Sequence, residues 1–219
     1  AFEKNMRMLN GRSFDRLHYT SSNGTDFVVG LPKGHLWEGG AARTTSGVSF
    51  FPNIPTEEGF TSPDRMRADG RVVSALPLVH NGSIVRDFWF EFRDGAVVDF
   101  GAEQGTEVLK GILDTDENAC RLGEVALISK NTPIRQTGLL FYDTLYDENA
   151  SCHLALGTGF PECLEGGVDM SPEQLIEHGV NHSHTHVDFM IGADDLAIRG
   201  ITADGEEVDV FVNGQWAWE

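Results

Sequence analysis

The chain of 219 residues has few basic side chains: 16 Lys and Arg stand against 34 Asp and Glu, which gives a net charge of −18. Proteins that bind nucleic acid or anionic membranes neutralise phosphate with Lys and Arg, so this charge argues against both kinds of partner. We interpret most of the carboxylates as a solvated acidic surface. A minority would suit metal ions, whose positive charge offsets crowded carboxylates.

Long apolar runs and cysteine motifs are also missing. No segment approaches the roughly 20 apolar residues that cross a bilayer, and no signal-peptide pattern opens the chain. Cys120, Cys152 and Cys163 are odd in number and include no C-x-x-C pair, which argues against a disulfide framework and a zinc ribbon. They predict reduced thiols and a cytoplasmic protein. The Gly-rich segment 36–60 lacks the pattern of a phosphate-binding loop.

Strand and turn signals dominate the chain. Asn23-Gly24 and Asn81-Gly82 each separate two strand-like runs, a pattern typical of hairpins because Asn and Gly accept positive φ. Apolar residues at helical spacing predict a helix over 103–114, and Ser171 followed by Pro predicts the start of another. We therefore expect one α+β domain over residues 1–219, a β-rich pseudo-barrel flanked by a few helices.

The segment "NHSHTHVDFM" (181–190) places His182, His184, His186 and Asp188 at alternate positions. In a strand these four side chains would share one face. Imidazole and carboxylate groups on one face suit Zn, Mn or Co, which accept nitrogen and oxygen ligands. A polar strand that faces solvent explains the three histidines equally well.

Three further polar residues lie beside apolar segments. His153 follows an acidic turn and precedes an apolar run, and Glu58 and Glu124 lie at the edges of such runs. A buried carboxylate is costly unless it is paired or metal-bound. Taken one by one, a hydrogen-bonded core histidine and two surface carboxylates would also explain these residues.

Four motifs in order resemble the signature of the thermophilic metalloaminopeptidase family, of the aminopeptidase T and aminopeptidase S type. They are "NIPTEE" (53–58), "LGEVAL" (122–127), "DENASCHLALG" (147–157) and "HVDFMIG" (186–192), and "GTD" at 24–26 fits as well. The resemblance spans nearly the whole chain. It implies the C-terminal catalytic domain of a two-domain metallopeptidase, whose N-terminal α/β domain would be absent here. The start of the chain, which lacks an initiator Met, agrees with that expectation.

The resemblance implies two divalent metal ions (Zn, Co or Mn) held by two Glu, two His and one Asp. Carried onto this chain, the ligands are Glu58, Glu124, His153, His186 and Asp188. Five ligands for two ions require a bridging carboxylate, and Glu124 is our candidate. Glu57 is the candidate proton acceptor, because it neighbours a ligand and should be free of metal. The opposite register, with Glu57 as a ligand, and a simple capping role for Glu57 stay open.

The remaining histidines and one phenylalanine complete the predicted site. We expect His182 and His184 to support the ligands or to contact substrate. Phe160 ends the segment "HLALGTGF", where the family has a tyrosine. A phenylalanine cannot donate the hydrogen bond that a tyrosine hydroxyl could give to a developing oxyanion. His184 and Tyr142 are candidate replacement donors.

The implied activity is an aminopeptidase that removes the first residue from peptides with a free amino terminus, using water activated by two metals. The family also implies a homodimer. Two other classes stay open: a cupin-like metal oxygenase, which also uses H-x-H on a strand, and a non-catalytic or specialised metal-binding domain. The cupin pattern fits less well, because no histidine follows His186.

Overall fold

The computed structural model describes residues 2–218, a mixed architecture that is mostly sheet. Its helices are α1 (Phe2–Arg12), α2 (Thr106–Leu113), α3 (Pro133–Gln136), α4 (Thr144–Glu148) and α5 (Pro172–Glu177). None of these described helices is long and apolar enough to span a membrane. The predicted α+β class is confirmed.

The described part of the chain forms two larger antiparallel sheets and a short ribbon. The strands are β1 (Arg16–Thr20), β2 (Asp26–Gly30), β3 (Ala42–Arg43), β4 (Ser49–Phe50), β5 (Gly59–Thr61), β6 (Ala68–Val73), β7 (Leu78–His80), β8 (Ser83–Arg93), β9 (Ala96–Gln104), β10 (Leu122–Leu127), β11 (His153–Gly157), β12 (His186–Met190), β13 (Ala197–Ile201), β14 (Glu207–Val212) and β15 (Gln215–Trp216). The nine-stranded sheet has the order β15-β14-β13-β1-β2-β6-β8-β7, with β9 also on β8. The second sheet has the order β12-β11-β10-β5, and β3 pairs with β4. Both larger sheets are open and do not close into a barrel.

Both Asn-Gly signals predicted hairpins correctly. Strand β1 pairs with β2 around residues 21–25, and β7 pairs with β8 directly across Asn81 and Gly82. These two turn residues have φ angles of 50° and 78°, the left-handed conformation that a tight hairpin turn requires. The helix predicted over 103–114 is α2, and Ser171 caps α5 as predicted. Local signals therefore set the turns and the helix starts.

The core between the two larger sheets is rich in phenylalanine. Phe88 and Phe90 of β8 contact Phe189 of β12, with ring centroids 6.2 and 5.1 Å apart. All three are at most 1% exposed, and aromatic burial of this kind dominates core energetics. Because side chains alternate along a strand, the opposite face of β12 is free to present polar groups.

The strand predicted over 181–190 is shorter than its histidine alternation suggested, because β12 begins only at His186. Asp116 holds the preceding residues in a loop. Its Oδ2 accepts hydrogen bonds from Ser183 Oγ at 2.8 Å and from the His184 backbone N–H at 2.7 Å. These bonds satisfy the Ser183 hydroxyl and the His184 N–H within the loop. In a strand, the His184 N–H would instead bond to a neighbouring strand.

Candidate metal centre

Neighbouring strands of the smaller sheet bring distant polar residues together. Glu124 lies on β10, His153 opens β11, and His186 and Asp188 lie on β12. Glu58 immediately precedes β5, which pairs with the other edge of β10. The strand order β12-β11-β10-β5 therefore places five residues from separate parts of the sequence at one site.

Small residues on the central strand β11 make this approach possible. Ala155 lies opposite both Glu124 and Asp188 in the strand register. Its methyl group leaves the space in which the two carboxylates extend. Gly157 has φ of 108°, and a Cβ there would lie 2.0 Å from the Thr185 carbonyl oxygen. Glycine is thus required where β11 meets the start of β12.

Glu124 lies between the two histidines. Its Oε2 is 3.1 Å from His186 Nε2, and its Oε1 is 3.8 Å from His153 Nε2. Asp188 Oδ1 approaches His186 Nε2 to 3.2 Å. Glu58 Oε2 approaches His153 Nε2 to 3.2 Å. Each imidazole therefore has two carboxylates around one ring nitrogen, and Glu124 is common to both.

The other ring nitrogen of each histidine faces backbone carbonyl groups. His153 Nδ1 lies 3.2 Å from the Glu148 carbonyl oxygen and 3.1 Å from that of Ser151. His186 Nδ1 lies 2.8 Å from the Thr158 carbonyl oxygen. A carbonyl oxygen only accepts, so Nδ1 carries a proton and Nε2 is turned to the carboxylates. Metal-binding histidines are oriented by acceptors in the same way.

Charge outweighs burial in setting the pKa values of this cluster. Burial alone would raise the pKa of Glu124, but hydrogen bonds and charge from both histidines lower it to about 2. Burial would lower the pKa of the histidines, yet Asp188 and Glu124 raise that of His186 to about 11. Glu124 and Glu58 likewise raise the pKa of His153 well above its ordinary value. Without a metal, imidazolium–carboxylate ion pairs hold the cluster together.

Glu148, the last residue of α4, is a further member of the cluster that the sequence reasoning missed. It lines the same cavity, and with His153 and Asp188 it offers three ligand atoms within 4.8 Å of one another. Burial, and after it the negative charge of Asp188, raises the pKa of Glu148 to about 8. Its sequence neighbours in "YDENA" made it look like part of an acidic surface turn.

The donor set fits divalent metal ions. Two groups of ligand atoms lie within 4.8 Å and share Glu124: one adds Glu58 and His153, the other His186 and Asp188. Glu58 is buried, and its Oε2 pairs with His153 Nε2 at 3.2 Å. A buried carboxylate is costly unless it is paired or metal-bound, and a cation could take the place of the imidazolium as its partner. Mixed nitrogen and oxygen donors are those that Zn, Co and Mn accept.

The cluster lines a cavity of about 610 Å³ that is acidic. Its walls carry six carboxylates, and none of the described residues that line it is Lys or Arg: the acids are Glu38, Glu58, Glu124, Glu148, Glu162 and Asp188. Phe160 also lines the cavity, and its ring centroid lies 5.1 Å from that of His186 and 5.2 Å from that of Phe60. Such a concave negative surface attracts cations.

Other predicted site residues lie outside the cavity lining. Glu57 is half-buried, its backbone N–H donates to Asn149 Oδ1 at 2.7 Å, and burial raises the pKa of its carboxyl. His182 and His184 are exposed in the loop before β12, with ring centroids 6.5 Å apart. The prediction that these two histidines share a strand face with the metal ligands is therefore wrong. Tyr142 is 47% exposed and does not line the cavity either.

Sequence comparisons connect the chain to metalloproteases. A family model described as thermophilic metalloprotease (M29) matches residues 1–216. Aminopeptidase 2 from Geobacillus stearothermophilus is 51% identical over 211 residues, covering 96% of this chain and 51% of that protein. Aminopeptidase T from Thermus thermophilus is 45% identical over 216 residues, covering 99% and 52%. The chain spans about half the length of the curated relatives it matches.

Two solved structures share the fold. Wild-type AmpT from Thermus thermophilus matches with a TM-score of 0.93 at 45% identity, covering 98% of this chain and 53% of that one. A 2,5-dihydroxypyridine dioxygenase from Pseudomonas putida KT2440 matches with a TM-score of 0.66 at 14% identity, covering 100% and 60%. The second likeness concerns the fold alone.

Proposed function

The chain belongs to the thermophilic metalloprotease (M29) family, as its motifs predicted, and from this premise we propose that it is a metal-dependent aminopeptidase. The observation that carries the proposal is Glu124, whose two carboxylate oxygens face two different histidines. We assign two divalent ions, Zn, Co or Mn, to a ligand set in which Glu124 is the bridge: Glu58, Glu124, His153, His186 and Asp188. When bound, such ions supply Lewis acidity that activates water and polarises a peptide carbonyl.

A carboxylate must take a proton from the attacking water and return it to the leaving amine. Glu57, which the sequence suggested, stays a candidate, although it does not line the cavity. We propose Glu148 for this role because of its position. It lies beside His153 from one ligand group and Asp188 from the other, so it faces both halves of the site.

Phe160 leaves the site one hydrogen-bond donor short of the family pattern. Its ring packs against His186 and restricts that imidazole, but it donates nothing to a developing oxyanion. The candidate replacements His184 and Tyr142 are exposed and do not line the cavity. We therefore propose an activity that is slower or more specialised than a tyrosine-bearing site would have.

The proposed substrates are peptides with a free amino terminus, whose ammonium group suits an acidic cavity. We also propose a homodimer and a cytoplasmic location. The free cysteines Cys120, Cys152 and Cys163 support a reducing compartment. Exposed apolar side chains such as Phe51 and Ile54, 59% and 80% exposed, support a subunit contact.

Hydrolysis of aminoacyl-p-nitroanilides with added Zn, Co or Mn tests the proposed activity. We expect metal-dependent release of nitroaniline that falls at least about 100-fold in His153→Ala, because a proposed ligand is removed. His178→Ala is the matched control, an exposed histidine away from the cavity. Equal activity in wild type and His153→Ala would overturn the proposal. The oxygenase alternative is not favoured, because its structural likeness comes with only 14% identity.

A further inference from the structure

Asn149 is a buried residue of the motif at 147–157 that has no role among the proposed metal ligands and proton acceptors. It directly follows Glu148 at the end of α4, and it is 0% exposed. A buried amide group is costly unless its donor and its acceptor are both satisfied. The partners of Asn149 therefore show which parts of the chain it holds in place.

The Asn149 side chain joins the end of α4 to a distant loop. Its Nδ2 donates to the Leu145 carbonyl oxygen at 2.9 Å, and its Oδ1 accepts from the Glu57 backbone N–H at 2.7 Å. The first bond satisfies one of the carbonyl groups that are left free at the end of a helix. The second bond spans 92 positions of the sequence and reaches the residue before Glu58. Asparagine suits this place because its amide both donates and accepts.

The loop over residues 51–58 depends on the second of these bonds. It runs between β4 and β5 without regular structure, and residues 51–54 are exposed. Within the described part of the chain, no other hydrogen bond holds this loop. Glu58 at its end is buried and pairs with His153. The candidate ligand Glu58 is therefore held on one side by β5 and on the other by Asn149.

The turn that contains Asn149 also orients His153. The carbonyl oxygens of Glu148 and Ser151 lie 3.2 and 3.1 Å from His153 Nδ1. The Ser151 backbone N–H donates to the Glu148 carbonyl oxygen at 3.1 Å, so residues 148–151 form a closed turn. Asn149 thus lies between the carbonyl groups that orient one candidate ligand, and its side chain holds the loop that carries another.

We propose that Asn149 is a positioning residue, which holds the ligand group of Glu58 and His153 in place beside Glu148. This inference rests on the metal centre of the proposed function. Both hydrogen bonds of the Asn149 side chain go to backbone groups, so it acts on the ligands through the chain and does not bind metal itself. Its loss should weaken the ion of this ligand group and spare the ion of the other group.

Residue-resolved amide exchange of the metal-free full chain tests the contact. The Glu57 N–H should be protected in the wild type and exchange at least about tenfold faster in Asn149→Leu, which has a similar size and no polar group. Asn149→Asp keeps the accepting oxygen and should keep the protection. Thr25→Val is the matched control. Thr25 is 3% exposed, and its Oγ1 accepts the Val73 backbone N–H at 3.1 Å, away from the cavity.

Calorimetric zinc titrations of the same variants test the positioning role. In Asn149→Leu we expect one of two zinc ions to bind at least about tenfold more weakly, because loss of a group that supports metal ligands costs about 10–100-fold in affinity. The other ion should bind within about threefold of the wild type. Asn149→Asp and Thr25→Val should bind both ions within about threefold of the wild type.

Rapid exchange of the Glu57 N–H in the wild type would overturn the inference, and so would unchanged zinc binding in Asn149→Leu. Equal weakening of both ions in Asn149→Leu and Asn149→Asp would indicate a general structural role and would also reject it. Fewer than two zinc ions bound by the wild type would reject the two-metal centre of the proposed function. The exchange of Glu57 would then still decide whether Asn149 holds this loop.

Discussion

Ala155 lies directly opposite Asp188 in the register of β11 and β12, and on its other side it lies opposite Glu124. The methyl group of Ala155 thus lies between these two carboxylates. A larger side chain at this position would compete with them for space. Because β10, β11 and β12 are neighbours, we expect the side-chain volume at position 155 to set how closely the two carboxylates can approach a bound metal.

We expect Ala155→Val to lower zinc affinity at least about tenfold, because the added methyl groups displace one of the flanking carboxylates. Overpacking of this size costs about 1–3 kcal/mol, so the metal-free protein should still fold. Calorimetric zinc titrations and thermal melts in chelator measure the two effects separately. Wild-type zinc affinity in a folded Ala155→Val protein would show that this space is not limiting.

Metal binding should release protons at pH 7. Carboxylate partners raise the pKa of His186 to about 11 and that of His153 well above its ordinary value, so both imidazoles are doubly protonated without metal. We expect the two histidines to release about two protons, Glu148 with its pKa of about 8 to add to them, and the apparent affinity to fall as pH is lowered. Titrations in buffers of different ionisation enthalpy count these protons, and His186→Ala should release about one fewer. A pH-independent affinity would contradict this prediction.

The same shifts set how the stability of the metal-free protein depends on pH. A raised histidine pKa means that the folded state holds the proton more tightly than the unfolded state. The stabilisation is complete below about pH 6.5, the ordinary value, and is lost as pH rises toward the value of about 11 for His186. Urea unfolding in chelator between pH 6 and 10 should therefore give a falling free energy of unfolding. His186→Ala should flatten that fall.

Glu148→Gln should lower kcat by at least about 100-fold, because it removes the proposed proton acceptor. Glu57→Gln should stay within about threefold of the wild type, because its side chain does not line the cavity. Metal content must be measured in both variants, since a loss of metal would assign Glu148 to the ligands. A large loss in Glu57→Gln alone would restore the role that the sequence suggested.

Phe160→Tyr should raise kcat by about tenfold or more, because a hydroxyl beside His186 would restore an oxyanion donor. Phe141→Tyr adds the same hydroxyl at a residue outside the cavity lining and serves as the control. If both variants keep the wild-type rate, the missing hydroxyl does not limit the reaction.

The sequence predicted much of the ligand geometry because long motifs mark its residues in order. The structure brings Glu58, Glu124 and His153 within reach of one another, as the motifs led us to expect, and their metal-binding role stays a prediction. Glu148 was missed because only the end of α4 directs it into the cavity. No periodic pattern in the sequence reports that direction.

The histidine alternation shows a different limit of sequence reasoning. Period-two spacing predicts a strand only if the backbone is free to join a ladder. Here Asp116, 68 residues away from His184, binds that residue's backbone N–H and fixes a loop. Such a long-range hydrogen bond overrides the local pattern, so His182 and His184 lie in the loop before β12.

The ligand groups draw on segments that lie far apart in the sequence, from Glu58 before β5 to Asp188 on β12. Metal ions held by these groups would act as cross-links between distant segments, and cross-links that close long loops remove the most conformational entropy from the unfolded chain. Metal loading should then make the four strands of the smaller sheet, β5, β10, β11 and β12, unfold as a single cooperative unit. Local opening of β5 or β12 would require release of the ion, and amide exchange in these strands would slow together.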